Sequence, residues 1–412
     1  MKQYVIIGNG TAAAGCIEGI RAVDTVGSIT VISAEQHPVY CRPLISYYLQ
    51  NRTDLQRMRY RSETFYADNH VSVAFGRTAI EISADTKEIT LDGGEKIAYD
   101  ALCVCTGSSP FVPPMQGLET VKKQFTFMTV DDALAIEQAV TPESNVLIIG
   151  AGLIGLKCAE GLHGRAGSIT VCDLAPRVLS SILDDKCAVM MQKHLEANGI
   201  RFLLGTSAKE FRGSKAVMQS GETVDFDVLV LAVGVRANTA LVKNAGGDVN
   251  RGILTDDACK TSLPDVYAAG DCTEYHDISS DSVKVMALMP NAYMQGHTAG
   301  VNMAGGAAVF DNAIPMNSTG FFGLHCHTAG TQPEGCEMYE DADETHIKRL
   351  FVKNDRLTGF MLIGHMHRTG IYTALIRNLT PLSSVDFARL RIEPQLAAMG
   401  ADYREHVLKG AV

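Results

Sequence analysis

Val5-Ile6-Ile7-Gly8-Asn9-Gly10-Thr11-Ala12-Ala13 and, 142 residues further on, Val146-Leu147-Ile148-Ile149-Gly150-Ala151-Gly152-Leu153-Ile154-Gly155 carry the same pattern. Each begins with a short apolar run that reads as a buried parallel strand, passes through closely spaced glycines, and opens a helix. Glycines at this junction let the backbone turn sharply and approach a pyrophosphate, which then rests on the helix N-terminus. A single such run also fits a plain tight turn. Two in strand–turn–helix context imply two dinucleotides in one chain, most economically a tightly held flavin and a visiting nicotinamide.

Each fingerprint is followed by a carboxylate at the end of a second apolar strand. Ser28-Ile29-Thr30-Val31-Ile32-Ser33-Ala34-Glu35 places one 25 residues after Gly10, and Ser168-Ile169-Thr170-Val171-Cys172-Asp173 places one 21 residues after Gly152. A carboxylate there accepts hydrogen bonds from the ribose hydroxyls of an unphosphorylated adenosine. Asp173 would repel a 2′-phosphate, so NADH is expected over NADPH, with Arg177 four residues on softening the preference.

The remainder of the chain bounds the reading. A length of 412 residues suggests two or three domains, and 46% hydrophobic with 20% charged residues is ordinary for a globular protein. A net charge of −10 argues against nonspecific nucleic-acid binding. No apolar run approaches the ~20 residues that span a bilayer, and no signal peptide is read at the N-terminus. The 11 cysteines include no C-x-x-C spacing, and several fall within apolar strands or on the two fingerprint helices. They read as reduced, buried packing residues in a cytoplasmic protein, without a cluster or metal of their own.

Outward from the fingerprints, the first βαβ pattern runs to Thr106-Gly107, and Ser108 to Pro114 forms a proline-rich crossover. The second runs from Asn145 to about Gly234. Asp265-Val266-Tyr267-Ala268-Ala269-Gly270-Asp271 supplies one more buried strand, and a helix is expected over Asn291–Met303. From about Pro315 strands and hairpins take over, with Asn354-Asp355 as a turn between 347–352 and 357–363. Helices are expected over 370–378 and 393–407.

These motifs, with Cys105-Thr106-Gly107-Ser108-Ser109-Pro110, Ala232-Val233-Gly234-Val235-Arg236-Ala237-Asn238 and Asn291-Ala292-Tyr293-Met294-Gln295-Gly296-His297, resemble the FAD-dependent pyridine-nucleotide oxidoreductases of the glutathione-reductase-like fold. The branch most resembled is that of NADH:rubredoxin and ferredoxin reductases and the flavin portion of NADH-dependent nitrite reductase. The resemblance implies an α/β fold with two Rossmann-like dinucleotide-binding domains and a C-terminal α+β domain. The implied divisions are 1–110 and 240–315 for FAD, 111–239 for NAD(H), and 316–412 for an interface domain. It places Gly8, Gly10, Thr11, Ala12 and Ala13 at the FAD pyrophosphate, Glu35 at its ribose, and Arg42 and Pro43 in the flavin motif. Thr106 and Gly107 would pass under the cofactor, Asp271 would meet its ribityl or pyrophosphate region, and Gln295 and Gly296 its pyrimidine end. Gly150, Gly152, Leu153, Ile154, Gly155, Asp173 and Gly234 fall to NAD(H).

The flavin motif decides which reaction is expected. Disulfide reductases and peroxidases of the family carry a redox cysteine shortly after the first ribose carboxylate. Here Tyr40-Cys41-Arg42-Pro43-Leu44-Ile45-Ser46-Tyr47-Tyr48-Leu49 resembles the electron-transfer branch, and the peroxidase-type cysteine would align with Pro43. Many members also pair a lysine after this serine with a glutamate on the NAD helix beside flavin N5; here those positions are Tyr47 and Lys157. The cation is therefore expected to have moved to Lys157, with Tyr47 as a wall, although Lys157 also fits a solvated helix residue. The expected function is electron transfer between NAD(H) and an external iron–sulfur or rubredoxin-type carrier, in either direction. NADH oxidase, peroxidase or CoA-disulfide reductase activity is the alternative, and a flavin subunit of a larger redox complex the third reading. Arg52, Arg57, Arg59 and Arg61 form a candidate docking patch or an ion-paired helix face. His325, His327, His365, His367 and Cys336 are more simply lining or chance than a metal site. Oligomeric state stays open.

Overall fold

The computed structural model describes residues 1–401 and Arg404, and the chain divides into two units. The first comprises Met1–Pro176, Gly199–Tyr275 and Val283–Asp311; the second comprises Arg177–Asn198, His276–Ser282 and Asn312 onward. In chain order the first unit holds β1 (Gln3–Ile7), α1 (Thr11–Val23), β2 (Ser28–Ser33), α2 (Ile45–Leu49), β3 (Val71–Phe75), β4 (Ala101–Val104) and β5 (Gln124–Phe125). It continues with α3 (Val130–Ala139), β6 (Asn145–Ile149), α4 (Leu153–Leu162), β7 (Ser168–Asp173), β8 (Ile200–Leu204), β9 (Val228–Leu231), β10 (Val266–Ala268) and α5 (Met289–Met303).

Two five-stranded parallel sheets organise this unit. The first has the order β10-β4-β1-β2-β3, the second β8-β7-β6-β9-β5. Strands covered on both faces need continuous apolar sequence, and Ala101–Val104 and Val228–Leu231 are buried at every position. Each fingerprint runs from the central strand of its sheet into the following helix, as the sequence predicted. At the turn, Gly8 (φ +108°) and Gly150 (φ +117°) are left-handed, and a Cβ on either would lie 2.1–2.2 Å from the carbonyl oxygen of Cys105 or Ala232. Only glycine lets these strands approach so closely.

A feature the sequence did not announce joins α1 to α5. A Cβ on Gly15 or Gly19 would fall 2.4 or 2.2 Å from the carbonyls of Tyr293 or His297. One on Gly296 or Gly300 would fall 1.9 or 2.1 Å from those of Ala12 or Cys16. The two backbones are therefore in direct contact along a seam of small residues, spaced four apart on each helix.

The second unit is built on an antiparallel sheet of β11 (Met316–Phe321), β12 (Leu324–Gly330), β13 (Glu337–Ala342), β14 (Ile347–Lys353) and β15 (Arg356–Ile363), in the order β11-β12-β15-β14-β13. The Asn354-Asp355 turn is present, with both residues at positive φ (52° and 58°), as a tight hairpin requires. A core of Leu350, Leu357, Phe360 and Leu362 packs with Tyr372, Leu375 and Ile376 of α6 (Gly370–Arg377). The helix expected over 393–407 is corrected for 393–400, while Ala401 and Arg404 are helical, the Arg404 N–H donating to the Gly400 carbonyl at 3.0 Å. A short α7 spans Phe387–Ile392 and is capped by Asp386 accepting from the Arg389 N–H, and Leu396–Ala398 is a single 3-10 turn. Residues 402–403 and 405–407 of that expectation lie outside the described residues.

Candidate functional site

The first fingerprint forms a cradle around the N-terminus of α1. Gly10 caps that helix in extended backbone, and a Cβ built on it meets nothing within 4 Å; the same is true of Gly107. Thr11, Ala12 and Ala13 form its first turn, where orphan N–H groups and the positive helix end favour a phosphate. Glu35 lies just beyond β2, and its carboxylate accepts from Arg42 Nη2 at 2.5 Å and from the Tyr40 hydroxyl at 2.7 Å. Arg42 also donates to the Met128 carbonyl. Thr106 and Asn238 lock the two family turns together: Thr106 Oγ1 donates to the Asn238 carbonyl (2.8 Å), and Asn238 Nδ2 donates to that of Thr106 (2.9 Å).

Asp271 follows β10. Burial pushes its carboxyl above the usual range, opposed by Arg42 and by a long hydrogen bond from Ser108 Oγ (3.4 Å). Gln295 is fully buried in α5; its Oε1 accepts from the Gly270 N–H and the Thr273 hydroxyl, while its Nε2 meets no partner. Gly296 belongs to the α1–α5 seam. An open cradle of glycines at a helix N-terminus, a partly buried carboxylate with one weak donor and an orphaned amide fit a large polyhydroxylated pyrophosphate ligand such as FAD.

The second cradle repeats the first. Gly152 caps α4, which opens with Leu153 and Ile154, and a Cβ on Gly152 or Gly234 would meet nothing within 4 Å. Gly155 packs against the turn itself, where its Cβ would lie 2.0 Å from the Gly150 carbonyl. Asp173 ends β7, its two carboxylate oxygens accepting from the Ala151 and Ala175 N–H groups at 2.6 and 2.7 Å. The negative charge is thus fixed beside the glycine turn, as a ribose-binding carboxylate must be.

Lys157 and Tyr47, singled out separately by sequence, come together. Lys157 Nζ stands 5.0 Å from the centroid of the Tyr47 ring and 2.5 Å from Glu160 Oε2. The Lys157 and Glu160 side chains are only 17% and 7% exposed. Arg52 approaches the same ring at 4.8 Å. Glu160 escaped the sequence reading, although its i,i+3 spacing from Lys157 on a helix was a visible signal.

A family model for pyridine nucleotide-disulphide oxidoreductases matches residues 2–296. The chain belongs to that family. The oxidoreductase is 30% identical over 396 residues to the NADH-dependent phenylglyoxylate dehydrogenase subunit epsilon of Aromatoleum evansii, covering 93% of this chain and 94% of that one. It is 31% identical over 392 residues to the NADH oxidase of Methanocaldococcus jannaschii, covering 88% and 87%. It is 29% identical over 375 residues (88% of this chain) to the nitrite reductase [NAD(P)H] of Bacillus subtilis, and spans about half the length of that longer protein (46%). The covalent putidaredoxin reductase–putidaredoxin complex matches the fold with a TM-score of 0.87 at 21% identity, covering 99% and 98%. As a member of this family, the protein takes FAD and NAD(H) as its cofactors.

Other candidate groups in the oxidoreductase sort plainly. Ser46 Oγ donates to the Pro43 carbonyl at 3.1 Å, which fixes the proline where a redox thiol would align. Burial pushes the Cys41 thiol up, away from the thiolate form. All 11 cysteines are free. The arginine patch is largely neutralised, since Arg57 pairs with Asp54, Arg59 with Glu63, and Arg61 in bidentate fashion with Glu18. In the second unit His327 is buried against Phe360 and shares a hydrogen bond with the Thr369 hydroxyl, while His346 and His365 stack at 4.6 Å. Among the described residues no group of three or more His, Cys, Asp or Glu side chains is gathered as for a metal ion. No helix among the described residues is long and apolar enough to cross a membrane.

Proposed function

We propose that this protein passes electrons between NAD(H) and an external iron–sulfur or rubredoxin-type carrier. Pro43 carries the reading: the flavin motif holds a proline where thiol-based members place their redox cysteine, and the neighbouring Cys41 is held as a thiol. FAD, when bound, supplies acceptance of a hydride from NADH and release of its electrons singly. The chain supplies position and charge. In this reading Gly8, Gly10 and residues 11–13 hold the FAD pyrophosphate, with Glu35, Arg42, Pro43, Thr106, Gly107, Asp271, Gln295 and Gly296 around the rest of the cofactor. Gly150, Gly152, Leu153, Ile154, Gly155, Asp173 and Gly234 receive NADH, and Lys157 with Tyr47 borders the flavin edge. Residues 1–110 with 240–315 form the FAD domain, 111–239 the nicotinamide domain and 316–412 an interface domain. The protein works in the cytoplasm.

Anaerobic stopped-flow mixing with NADH tests the reading. The expected result is two-electron bleaching with no long-wavelength thiolate charge-transfer band, followed by reoxidation by an iron–sulfur protein recovered in an anaerobic pull-down. A thiolate band, or rapid turnover with oxygen or a disulfide, would move the protein to the oxidase or disulfide-reductase reading. One observation favours a second arrangement: a relative of which 94% is covered bears the name of a dehydrogenase subunit. If NADH turnover is low for the isolated chain and restored by a co-purifying iron–sulfur subunit, the carrier is a permanent partner.

A further inference from the structure

We infer that Arg165 is a positioning residue for hydride transfer: it closes the end of α2 in the flavin motif and fastens it to α4, the helix opened by the second fingerprint. The inference rests on the placement of FAD and NADH given above. The last carbonyls of any helix lack intrahelical partners, and α2 (Ile45–Leu49) has only five residues. Three of its carbonyls find backbone donors where the chain turns. That of Ser46 accepts from the Gln50 N–H (3.2 Å), that of Tyr47 from Arg52 (2.9 Å), and that of Tyr48 from Asn51 (2.9 Å). Asn51 makes the turn in left-handed backbone at φ 57°. The Leu49 carbonyl instead accepts from Arg165 Nε. Arg165 Nη2 also donates to Asn51 Oδ1 at 2.5 Å and stands 3.1 Å from Glu137 Oε1 of α3. The Tyr48 hydroxyl donates to the other oxygen of that carboxylate at 2.7 Å. One guanidinium thus holds a carbonyl, an amide and a carboxylate, the first two 116 and 114 residues away in sequence.

The backbone of Arg165 is itself fixed. α4 ends at Leu162, Gly164 turns the chain at φ +79°, and the Arg165 N–H donates to the Leu162 carbonyl at 2.9 Å. Its side chain is 24% exposed and that of Glu137 30%, so the pair is screened less than one standing free in water. A second contact lies beside it. Gly161 brings α4 onto α2, where a Cβ would fall 3.2 Å from both the Leu49 Cβ and the Ser46 carbonyl oxygen. α2 carries Ser46 and Tyr47 of the flavin motif, and α4 begins at the glycine turn assigned to NADH. The clamp therefore joins the segment bordering FAD to the helix that receives its hydride donor. Hydride transfer is steep in geometry, and a misplacement of about 1 Å can cost about 100-fold in rate. A clamp at this point acts on the transfer itself more than on the affinity for either dinucleotide.

The test is anaerobic stopped-flow reduction of the FAD-loaded protein, with NADH varied so that the limiting rate separates from the NADH dissociation constant. In Arg165→Met the limiting rate should fall about tenfold, with the dissociation constant within about twofold of wild type and FAD content unchanged. NADH deuterated at the transferred position should show an isotope effect at least as large as in wild type. Arg165→Lys keeps the charge but not the fork that reaches three acceptors, so it should recover part of the rate. A limiting rate within about twofold of wild type in Arg165→Met overturns the proposal, even if the melting temperature falls, and leaves Arg165 a structural clamp. A slowed phase without an isotope effect overturns it too. Failure of the wild type itself to be reduced by NADH would overturn the placement of the two dinucleotides beneath it. Should Arg165→Met not retain FAD, Tyr48→Phe and Asn51→Gly each remove one arm of the clamp. Limiting rates about two- to threefold lower in these variants support the proposal, and wild-type rates in both overturn it.

Discussion

Two glycines, Gly10 and Gly296, lie close to the same helix turn and have opposite reasons to be there. A methyl group on Gly296 would come within 1.9 Å of the Ala12 carbonyl oxygen, 2.8 Å of its carbon and 3.0 Å of the Ala12 Cα. All three are backbone atoms, so no side chain can swing away. To regain a normal contact, α1 and α5 must part by roughly 1.3 Å, which breaks the packing of the whole seam. Overpacking of this kind costs about 1–3 kcal/mol, and rigid backbone obstacles place Gly296→Ala near the top of that range. Relief from alanine's better helix propensity offsets at most about 1 kcal/mol. At about 1–2 °C per kcal/mol for a protein of this size, the net effect is a melting temperature lower by roughly 2–4 °C. Gly10→Ala adds its methyl at ordinary φ (−95°) into space where, apart from its own chain neighbours, no atom lies within 4 Å. Its cost to the apoprotein is about 1 kcal/mol or less, but the methyl occupies the place assigned to the pyrophosphate. FAD affinity should fall at least about tenfold, equivalent to 1.4 kcal/mol. Thermal unfolding of the apoproteins and fluorescence titration with FAD separate the two. A Gly10→Ala protein that binds FAD like wild type would refute the placement of the cofactor. A Gly296→Ala protein that melts with wild type would refute the seam.

Other expectations follow from the same geometry. Asp173→Ala removes a charge fixed by two backbone N–H groups. The ratio of kcat/KM for NADPH to that for NADH should therefore rise roughly 10- to 100-fold, and an unchanged ratio would place the adenosine elsewhere. Asp271 has its pKa raised by burial, so between the ordinary carboxylate range and its folded value the native apoprotein holds a proton that the unfolded chain has lost. Its stability contribution therefore declines as pH rises through that window. Asp271→Asn should flatten this slope in urea midpoints taken from about pH 4 to 7, and a slope identical to wild type would exclude Asp271 as its source. Cys41→Ser should leave NADH-dependent flavin reduction within about twofold, since a protonated thiol is a poor nucleophile; a loss of tenfold or more would restore thiol chemistry to the mechanism.

Parallel strands were the most legible part of the fold in sequence, because double burial demands unbroken apolar runs such as Val146–Ile149 and Val228–Leu231. The hairpin at Asn354-Asp355 was legible for a different reason: few residue pairs tolerate two positive φ angles. What failed was local. Phe387–Ile392 is a single capped turn and a half with Leu390 its one buried residue, too short for a period to show. Arg61 read as a surface cation because its partner Glu18 is 43 residues away in sequence. Glu160 was in plain view, yet no sequence pattern states that it and Lys157 are largely withdrawn from water. The α1–α5 seam was hidden for the same reason: each of its glycines matters only through a backbone almost 300 residues distant.

That distance imposes an order on assembly. The sheet that carries the second fingerprint draws its strands from a continuous stretch, residues 124–231, so it can close as soon as that stretch has left the ribosome. The sheet of the first fingerprint cannot. Its strand β10 and the helix that seals the glycine face of α1 arrive only with residues 266–303, after the entire second sheet has been made. Until then the first fingerprint has Ile32 and Cys105 beside its turn but lacks the α5 backbone that packs against α1. Long-range closure of this kind is slow and exposes apolar surface while it waits. In the reading proposed above, the first fingerprint therefore becomes competent to receive FAD only after residues 266–303 have been made.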